Sequence, residues 1–131
     1  MPKVSVIVPA YNIAPYIERC VQSLCEQTLE SIEIIVVDDG STHGTQGLCK
    51  SLASHDSRIK VITQENQGVS AARNAGIKAA RGKYIGFVDG DDFVRPNMYE
   101  SMLDNSIKHD ADVVWVMPTL TDTISCVLAC K

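Results

Sequence analysis

Three carboxylates fall within four positions at Asp89-Gly90-Asp91-Asp92, and the residues leading into them, Tyr84-Ile85-Gly86-Phe87-Val88, read as a buried strand. Like charges this close repel, and carboxylates beside a core are seldom left unpaired. A positive group is therefore expected there. Aspartate oxygens suit Mg2+, Mn2+ or Ca2+, not Zn2+. An EF-hand register would use Asp89, Asp91 and Glu100. It fails because Phe93 stands where an oxygen ligand is needed and Val94 where glycine is needed. A site built from one or two carboxylates, water and a ligand's phosphates fits better, with Gly90 letting the backbone bend closely. A solvated acidic loop is the plainer alternative, and the buried strand before it weighs against that. The expectation is a divalent cation carrying a diphosphate. Neither the GxGxxG fingerprint nor the P-loop GxxxxGK[ST] occurs, which disfavours dinucleotides and ATP held in those ways.

Short, β-branched, nearly continuous apolar runs recur at Lys3–Pro9, Glu33–Asp38, Arg58–Thr63, Tyr84–Val88 and Asp112–Met117. This pattern suits parallel strands buried on both faces. Helical patterns lie between them. Residues 15–27 carry Ile17, Cys20, Val21, Leu24 and Cys25 on one stripe. Residues 45–54 carry Leu48 and Leu52, and 69–81 is alanine-rich and meets Gly82, a candidate C-terminal cap. Residues 96–109 open on proline. Strand–helix repetition predicts an α/β domain with a mainly parallel sheet and right-handed crossovers. Ligands in such sheets bind at the carboxyl ends of the strands.

Polar and turn-forming residues do cluster there, four times in succession: Pro9-Ala10-Tyr11-Asn12, then Asp38-Asp39-Gly40-Ser41, then Gln64 to Gly68 leading to Ser70 and Arg73, then the acidic stretch. Each has a bland reading alone, since Asp, Gly and Ser are ordinary turn and cap residues and Arg73 and Asn74 suit a helix surface. Their shared edge tells more than any one of them.

The 131 residues make one domain of ordinary size. A net charge of −4 with no basic run, and 5% aromatics, disfavour nucleic acid. Five cysteines with no CxxC spacing favour neither a disulfide framework nor a zinc knuckle, and read as reduced thiols in a cytoplasmic protein. The three histidines are scattered. The apolar run at Val4–Ala10 is too short for a signal peptide, and no segment approaches a membrane span. Peripheral association with the inner face of a membrane stays open.

The segments VSVIVPAYN, SLCEQTLESIEIIVVDDGST and NQGVSAARNAGIKAARGKYIGFVDGDD resemble inverting glycosyltransferases of family 2, which have the GT-A fold. The resemblance runs from about Lys3 to Asp112 with its motifs in order, and DGDD resembles that family's DxD motif. It implies a Rossmann-like, mainly parallel sheet with helices on both faces, truncated after the DxD region. Residues 1–112 would be the core that binds the nucleotide sugar, and 113–131 a last strand and divergent tail. It implies a nucleotide-diphospho-sugar donor, with UDP favoured because a uracil N–H suits a carboxylate. It implies Mn2+ or Mg2+ as cofactor, and a saccharide or lipid-linked acceptor in polysaccharide biosynthesis. By motif, Pro9 and Tyr11 would line the nucleoside pocket, and Asp38 or Asp39 would bond the base. Arg73, with Asn74 beside it, would approach the phosphates. Asp89 and Asp91 would bridge ribose and metal, with Asp92 a competing ligand.

The family's catalytic base is a carboxylate downstream of the DxD motif. Here 39 residues follow Asp92, and Asp104, Asp110, Asp112 and Asp122 stand in no recognisable base motif. The base is expected beyond the chain end. Sugar transfer is the first reading, and nucleotide-sugar binding without turnover the alternative. An aspartyl phosphatase ranks low, because it needs an acid pair where this sequence has PAYN. Self-association stays open, since a truncated sheet would expose apolar surface.

Overall fold

The computed structural model describes residues 1–42, 44–116 and 126–131. Strands and helices alternate as β1 (Val4–Ala10), α1 (Ala14–Cys25), β2 (Ile32–Asp39), α2 (Thr45–His55), β3 (Ile59–Gln64), α3 (Val69–Ala79), β4 (Tyr84–Phe87), α4 (Met98–His109), β5 (Val113–Val116) and β6 (Cys126–Cys130). They build one six-stranded sheet in the order β3-β2-β1-β4-β6-β5. β1 lies parallel to both β2 and β4, and β2 parallel to β3. β6 runs antiparallel to β4 and to β5. The sheet is thus the mainly parallel α/β architecture expected, with helices on both faces.

Alternation along the strands divides the core in two. Val4, Val6, Val8, Ile34 and Val36 face the larger cluster, formed with α1, α2 and α4 through residues such as Leu24, Cys49 and Met102. Ile7, Ile35 and Val37 face the smaller one, beneath Ala72 of α3. Small residues let α3 lie close to the sheet. A Cβ on Gly76 would stand 2.4 Å from Ile7 Cγ2.

The chain runs from β1 out to β2 and β3, then crosses back to place β4 on the other side of β1. Strand order reverses between β1 and β4, and the loops leaving their carboxyl ends diverge there. This is where an open α/β sheet forms a crevice.

The opposite edge, where the parallel strands begin, is locked around one buried acid. Glu33 Oε1 accepts the Ser5 hydroxyl at 2.5 Å and the Arg81 amide at 2.6 Å. Its Oε2 meets Lys60 Nζ at 3.1 Å and Arg81 Nε at 3.3 Å. Burial alone would push this carboxyl up. The Ser5 hydroxyl, the Arg81 amide and the Lys60 ammonium outweigh it and hold the pKa at about 2.

Some boundaries differ from the sequence expectation. Helix α3 ends at Ala79 rather than Arg81, because Ala80 is already extended at ψ 133°. Gly82 is therefore not its cap; a Cβ there would stand 2.7 Å from the Ser5 nitrogen, so the position is reserved for close approach. Pro96 precedes α4 rather than opening it, and Asp110, left-handed at φ 49°, ends it. In the tail, Cys126–Cys130 forms β6, a strand the sequence analysis did not assign. It inserts between β4 and β5, out of chain order, and no local pattern announces that. Met117, His43 and Asp122 lie outside the described residues.

Candidate functional site

A cleft of about 310 Å³ opens at the reversal point, with Pro9, Tyr11, Asp39, Asn66, Asp89 and Asp91 among its lining. The loops after β1, β2, β3 and β4 build it.

The first follows β1. Asn12 is left-handed at φ 51°, a conformation asparagine tolerates better than most residues. Its Oδ1 accepts the Thr42 amide at 2.8 Å, and its own amide donates to Ser41 Oγ at 3.1 Å. This lacing fixes the loop and leaves Tyr11 half exposed beside the cleft.

The second follows β2. Successive residues point to opposite faces, so Asp38 and Asp39 part company. Asp38 shares the face of Ile34 and Val36. Its Oδ1 accepts the Ser41 amide at 3.0 Å, and its buried Oδ2 has no partner among the described residues. It does not line the cleft. Asp39 does. Its Oδ1 accepts Gln64 Nε2 and the Gln67 amide, and its Oδ2 accepts the Gly68 amide, each at 2.9 Å. Burial would raise this carboxyl's pKa, but the three donors outweigh it and hold it below the usual value. Asp39 thereby organises the third polar cluster, leading into α3. Gly40, at φ 74°, passes so close to Asn66 that a Cβ would stand 2.8 Å from its nitrogen.

The last loop follows β4. The Asp92 amide donates to the Asp89 carbonyl at 3.0 Å, closing a tight turn. The turn gathers the three acids, so that one carboxylate oxygen from each lies within 4.8 Å of the others. Partial burial first, then the charges of Asp91 and Asp89, push the Asp92 carboxyl above its ordinary value. The group has only oxygen donors, which fits Mg2+, Mn2+ or Ca2+. Among the described residues, Arg73 is the one cation paired with it, 3.2 Å from Asp89 Oδ1. Asn74, next along α3, is exposed and does not line the cleft.

The structure therefore brings Pro9, Tyr11, Asp39, Asp89 and Asp91 around one cleft, with Arg73 and Asp92 at its acidic wall. It leaves Asp38 and Asn74 outside. Sequence reasoning passed over Asn12, Ser41, Gln64 and Gln67 as lacing. Their polar character was visible, but their partners are set by which loops meet. A larger cavity of about 650 Å³ lies between α4 and β5, bordered by Met98, Met102, Val113 and Trp115. Among the described residues its lining includes no carboxylate, whereas the smaller cleft carries Asp39, Asp89 and Asp91. All five cysteines are free. No helix among the described residues is long and apolar enough to cross a membrane.

Residues 5–123 match the profile described as "Glycosyl transferase family 2". The chain is 50% identical over 114 residues to the uncharacterized glycosyltransferase EpsJ of Bacillus subtilis, a match covering 87% of this chain and 33% of that protein. It is 46% identical over 112 residues to glycosyltransferase GlyG of Streptococcus pneumoniae, covering 85% of this chain and 37% of the relative. Among solved structures it is similar to S. aureus TarS 1–349 in complex with UDP, with a TM-score of 0.82 and 31% identity, over 89% of this chain and 36% of that one. It is also similar to the mannosyltransferase PcManGT of Pyrobaculum calidifontis in complex with GDP-Man and Mn2+, with a TM-score of 0.76 and 29% identity, over 93% of this chain and 37% of that one. The chain spans about a third of the length of these two curated relatives.

Proposed function

The chain belongs to glycosyl transferase family 2, and from that premise we propose that residues 1–112 bind a nucleotide-diphospho-sugar, UDP-linked by preference, for transfer of the sugar to an acceptor. The observation that carries this is the meeting of a half-exposed aromatic ring, a hydrogen-bonded carboxylate and an oxygen-donor acidic group in one cleft at the strand reversal. The similar TarS structure holds UDP and the similar PcManGT structure holds GDP-Man with Mn2+, which supports a nucleotide ligand here.

Each residue then has a task. Pro9 and Tyr11 present an apolar wall on which a base can lie. Asp39, rather than Asp38, accepts an N–H from the base, because it is the acid that lines the cleft and stays ionised there. Asp89, Asp91 and Asp92 hold Mn2+ or Mg2+. That ion, when bound, neutralises charge on the diphosphate leaving group. Arg73, beside Asp89, contributes a second positive charge toward the phosphates. Asn74 and Asp38, outside the lining, are given no contact with the ligand.

A second reading, donor binding without turnover by this chain, is favoured by the acids that follow Asp92. Asp104, Asp110 and Asp112 belong to α4 and its exit toward β5, and none lines the cleft. On this reading no acid after Asp92 among the described residues is placed to act as base toward an acceptor hydroxyl.

Calorimetric titration of UDP, with Mn2+ and then with EDTA, tests the proposal. Binding that requires the metal is the expected result. No binding by a chain shown to be folded would overturn it. Release of sugar from a UDP-sugar, measured next, separates transfer from binding alone.

A further inference from the structure

Residues 88–97, between β4 and α4, belong to no strand or helix, yet they carry all three acids. The Val88 amide donates to the Ile7 carbonyl, and the Arg95 and Asn97 carbonyls accept from Met98 and Ser101 of α4; the backbone groups between have no sheet ladder or helix and need partners elsewhere. One side of α1, continued just past its end, supplies these. Cys20, Ser23 and Gln27 recur at helical spacing and so share that side. The Cys20 thiol donates to the Asp89 carbonyl, 3.6 Å away. Ser23 Oγ accepts the Val94 amide at 3.1 Å. Gln27 Nε2 donates to the Arg95 carbonyl at 2.6 Å, and its Oε1 accepts the Tyr99 amide at 3.1 Å. The Arg19 guanidinium lies over the Phe93 ring, 3.6 Å from its centre. The Thr28 amide donates to the Pro96 carbonyl at 2.8 Å.

The side-chain hydrogen bonds advance along both segments, from Cys20 with Asp89 through Ser23 with Val94 to Gln27 with Arg95 and Tyr99. The acidic turn is pinned at its first residue by Cys20 and held downstream by Ser23 and Gln27. Gln27 is buried, and both ends of its amide are used in this work. Removing it would strand the buried Tyr99 amide and leave the Arg95 carbonyl to the Met98 amide, 3.2 Å away.

We infer that Gln27 is a positioning residue: acting through the 94–99 backbone, it sets the placement of the acidic turn and with it the metal-dependent part of nucleotide binding. The inference rests on the donor-site reading above. It differs from a purely structural role in where its effect falls. Tyr11 and Asp39 belong to other loops, so contacts to the nucleoside are untouched.

The test compares the wild-type chain with Gln27→Ala and the milder Ser23→Ala, which removes one bond from the same set. Three quantities are read: amide hydrogen exchange over residues 89–97, the Mn2+ concentration that half-saturates UDP binding, and metal-free uridine affinity. In Gln27→Ala, exchange over 89–97 is expected to quicken at least tenfold while β1 and β2 keep their protection. The Mn2+ requirement is expected to rise about tenfold, the size seen when supports of metal ligands are removed. Uridine affinity is expected to stay unchanged. Ser23→Ala should move the same readouts in the same direction by less, and it carries the test if Gln27→Ala does not fold. A lower melting temperature with an unchanged Mn2+ requirement and unchanged exchange at 89–97 would overturn the inference. If the wild type binds no UDP under either condition, the donor-site reading falls. Hydrogen exchange then decides on its own whether Gln27 places the turn.

Discussion

Glu33 and Asp91 stand at opposite edges of one sheet, and they are supplied with partners very differently. Glu33, where the parallel strands begin, is buried among a hydroxyl, an amide, an ammonium and a guanidinium. Asp91, where the strands end, is exposed beside two more carboxylates, and the one cation paired with the group, among the described residues, bonds Asp89 instead. The first arrangement pulls a carboxyl pKa down to about 2; in the second, partial burial first and then the charges of Asp91 and Asp89 push that of Asp92 up. A saturated charge has its stabilisation inside the fold. An unsaturated one leaves the fold under electrostatic load that a ligand can relieve. The comparison predicts that substitutions at the two edges have opposite signatures: stability at one, ligand binding at the other.

The largest effect is expected at Asp91. Asp91→Ala should weaken metal-dependent UDP binding by about a hundredfold or more, roughly 2.7 kcal/mol, while leaving the melting temperature in EDTA the same or slightly higher. Titration calorimetry and thermal melts on the same sample check both halves. An Asp91→Ala chain that binds UDP as before, with the same metal dependence, would remove the acidic turn from the site.

Glu33→Gln should show the reverse. It keeps an acceptor for Ser5 and the Arg81 amide but loses the charge that Lys60 and Arg81 pair with. The folded pKa of about 2 lies below the ordinary value of 4.5. The ionised carboxylate therefore contributes its stability above that ordinary value, and loses it as pH falls through about 2. The expected cost at pH 7 is about 2–3 kcal/mol. The difference from wild type should shrink between about pH 4.5 and pH 2, as denaturant unfolding across that range would show. UDP affinity of the folded variant should not move. A gap independent of pH would mean that Glu33 acts by shape alone.

Two glycines sharpen the contrast at smaller size. A Cβ on Gly82, at the Glu33 edge, meets backbone atoms of Ser5 and Val4 at 2.7 and 2.9 Å. A Cβ on Gly90, in the acidic turn, meets Ile13 Cδ1, the movable end of a side chain, and then the Pro9 carbonyl at 3.1 Å. Gly82→Ala should cost about 1–3 kcal/mol by overpacking. Gly90→Ala should cost less in stability, because Ile13 can yield, while still disturbing the turn that Mn2+ needs. Equal losses in denaturant unfolding would show that the acidic edge is as rigid as the other.

The sequence made the sheet legible because β1 and β2 are apolar on both faces, which few other elements imitate. It made the cleft legible because polar residues recur after four strands. It did not distinguish Asp38 from Asp39. Their separation comes from strand alternation combined with which helix covers which face, and the second is a tertiary fact. It did not show Glu33 as a hub, since its partners lie at Ser5, Lys60 and Arg81, far apart in the chain. Nor did it place β6, whose five residues resemble any short apolar run until they pair with β4 and β5. Gly82 carried a correct signal with the wrong cause. Glycine was required there, but for contact with Ser5 rather than for a helix cap.

The smallest expected effect is also the most diagnostic, because its sign depends on the metal. Asp92 has a carboxyl held above its ordinary value of 3.8, first by partial burial and then by Asp91 and Asp89. The ionised form is therefore less comfortable in the folded chain than in the unfolded one. Stability is lost on this account as pH rises from below 3.8 through the raised folded value, and the deficit persists at neutral pH. Asp92→Asn removes the charge and keeps the shape. In EDTA at pH 7 it should raise stability by a few tenths of a kcal/mol. With saturating Mn2+ the ordering should invert, since the wild type gains from the ion what the variant has given up. Paired thermal melts with and without Mn2+ read the crossover directly. Stabilisation of equal size under both conditions would mean that Asp92 is a bystander, and that Asp89 and Asp91 hold the cation alone.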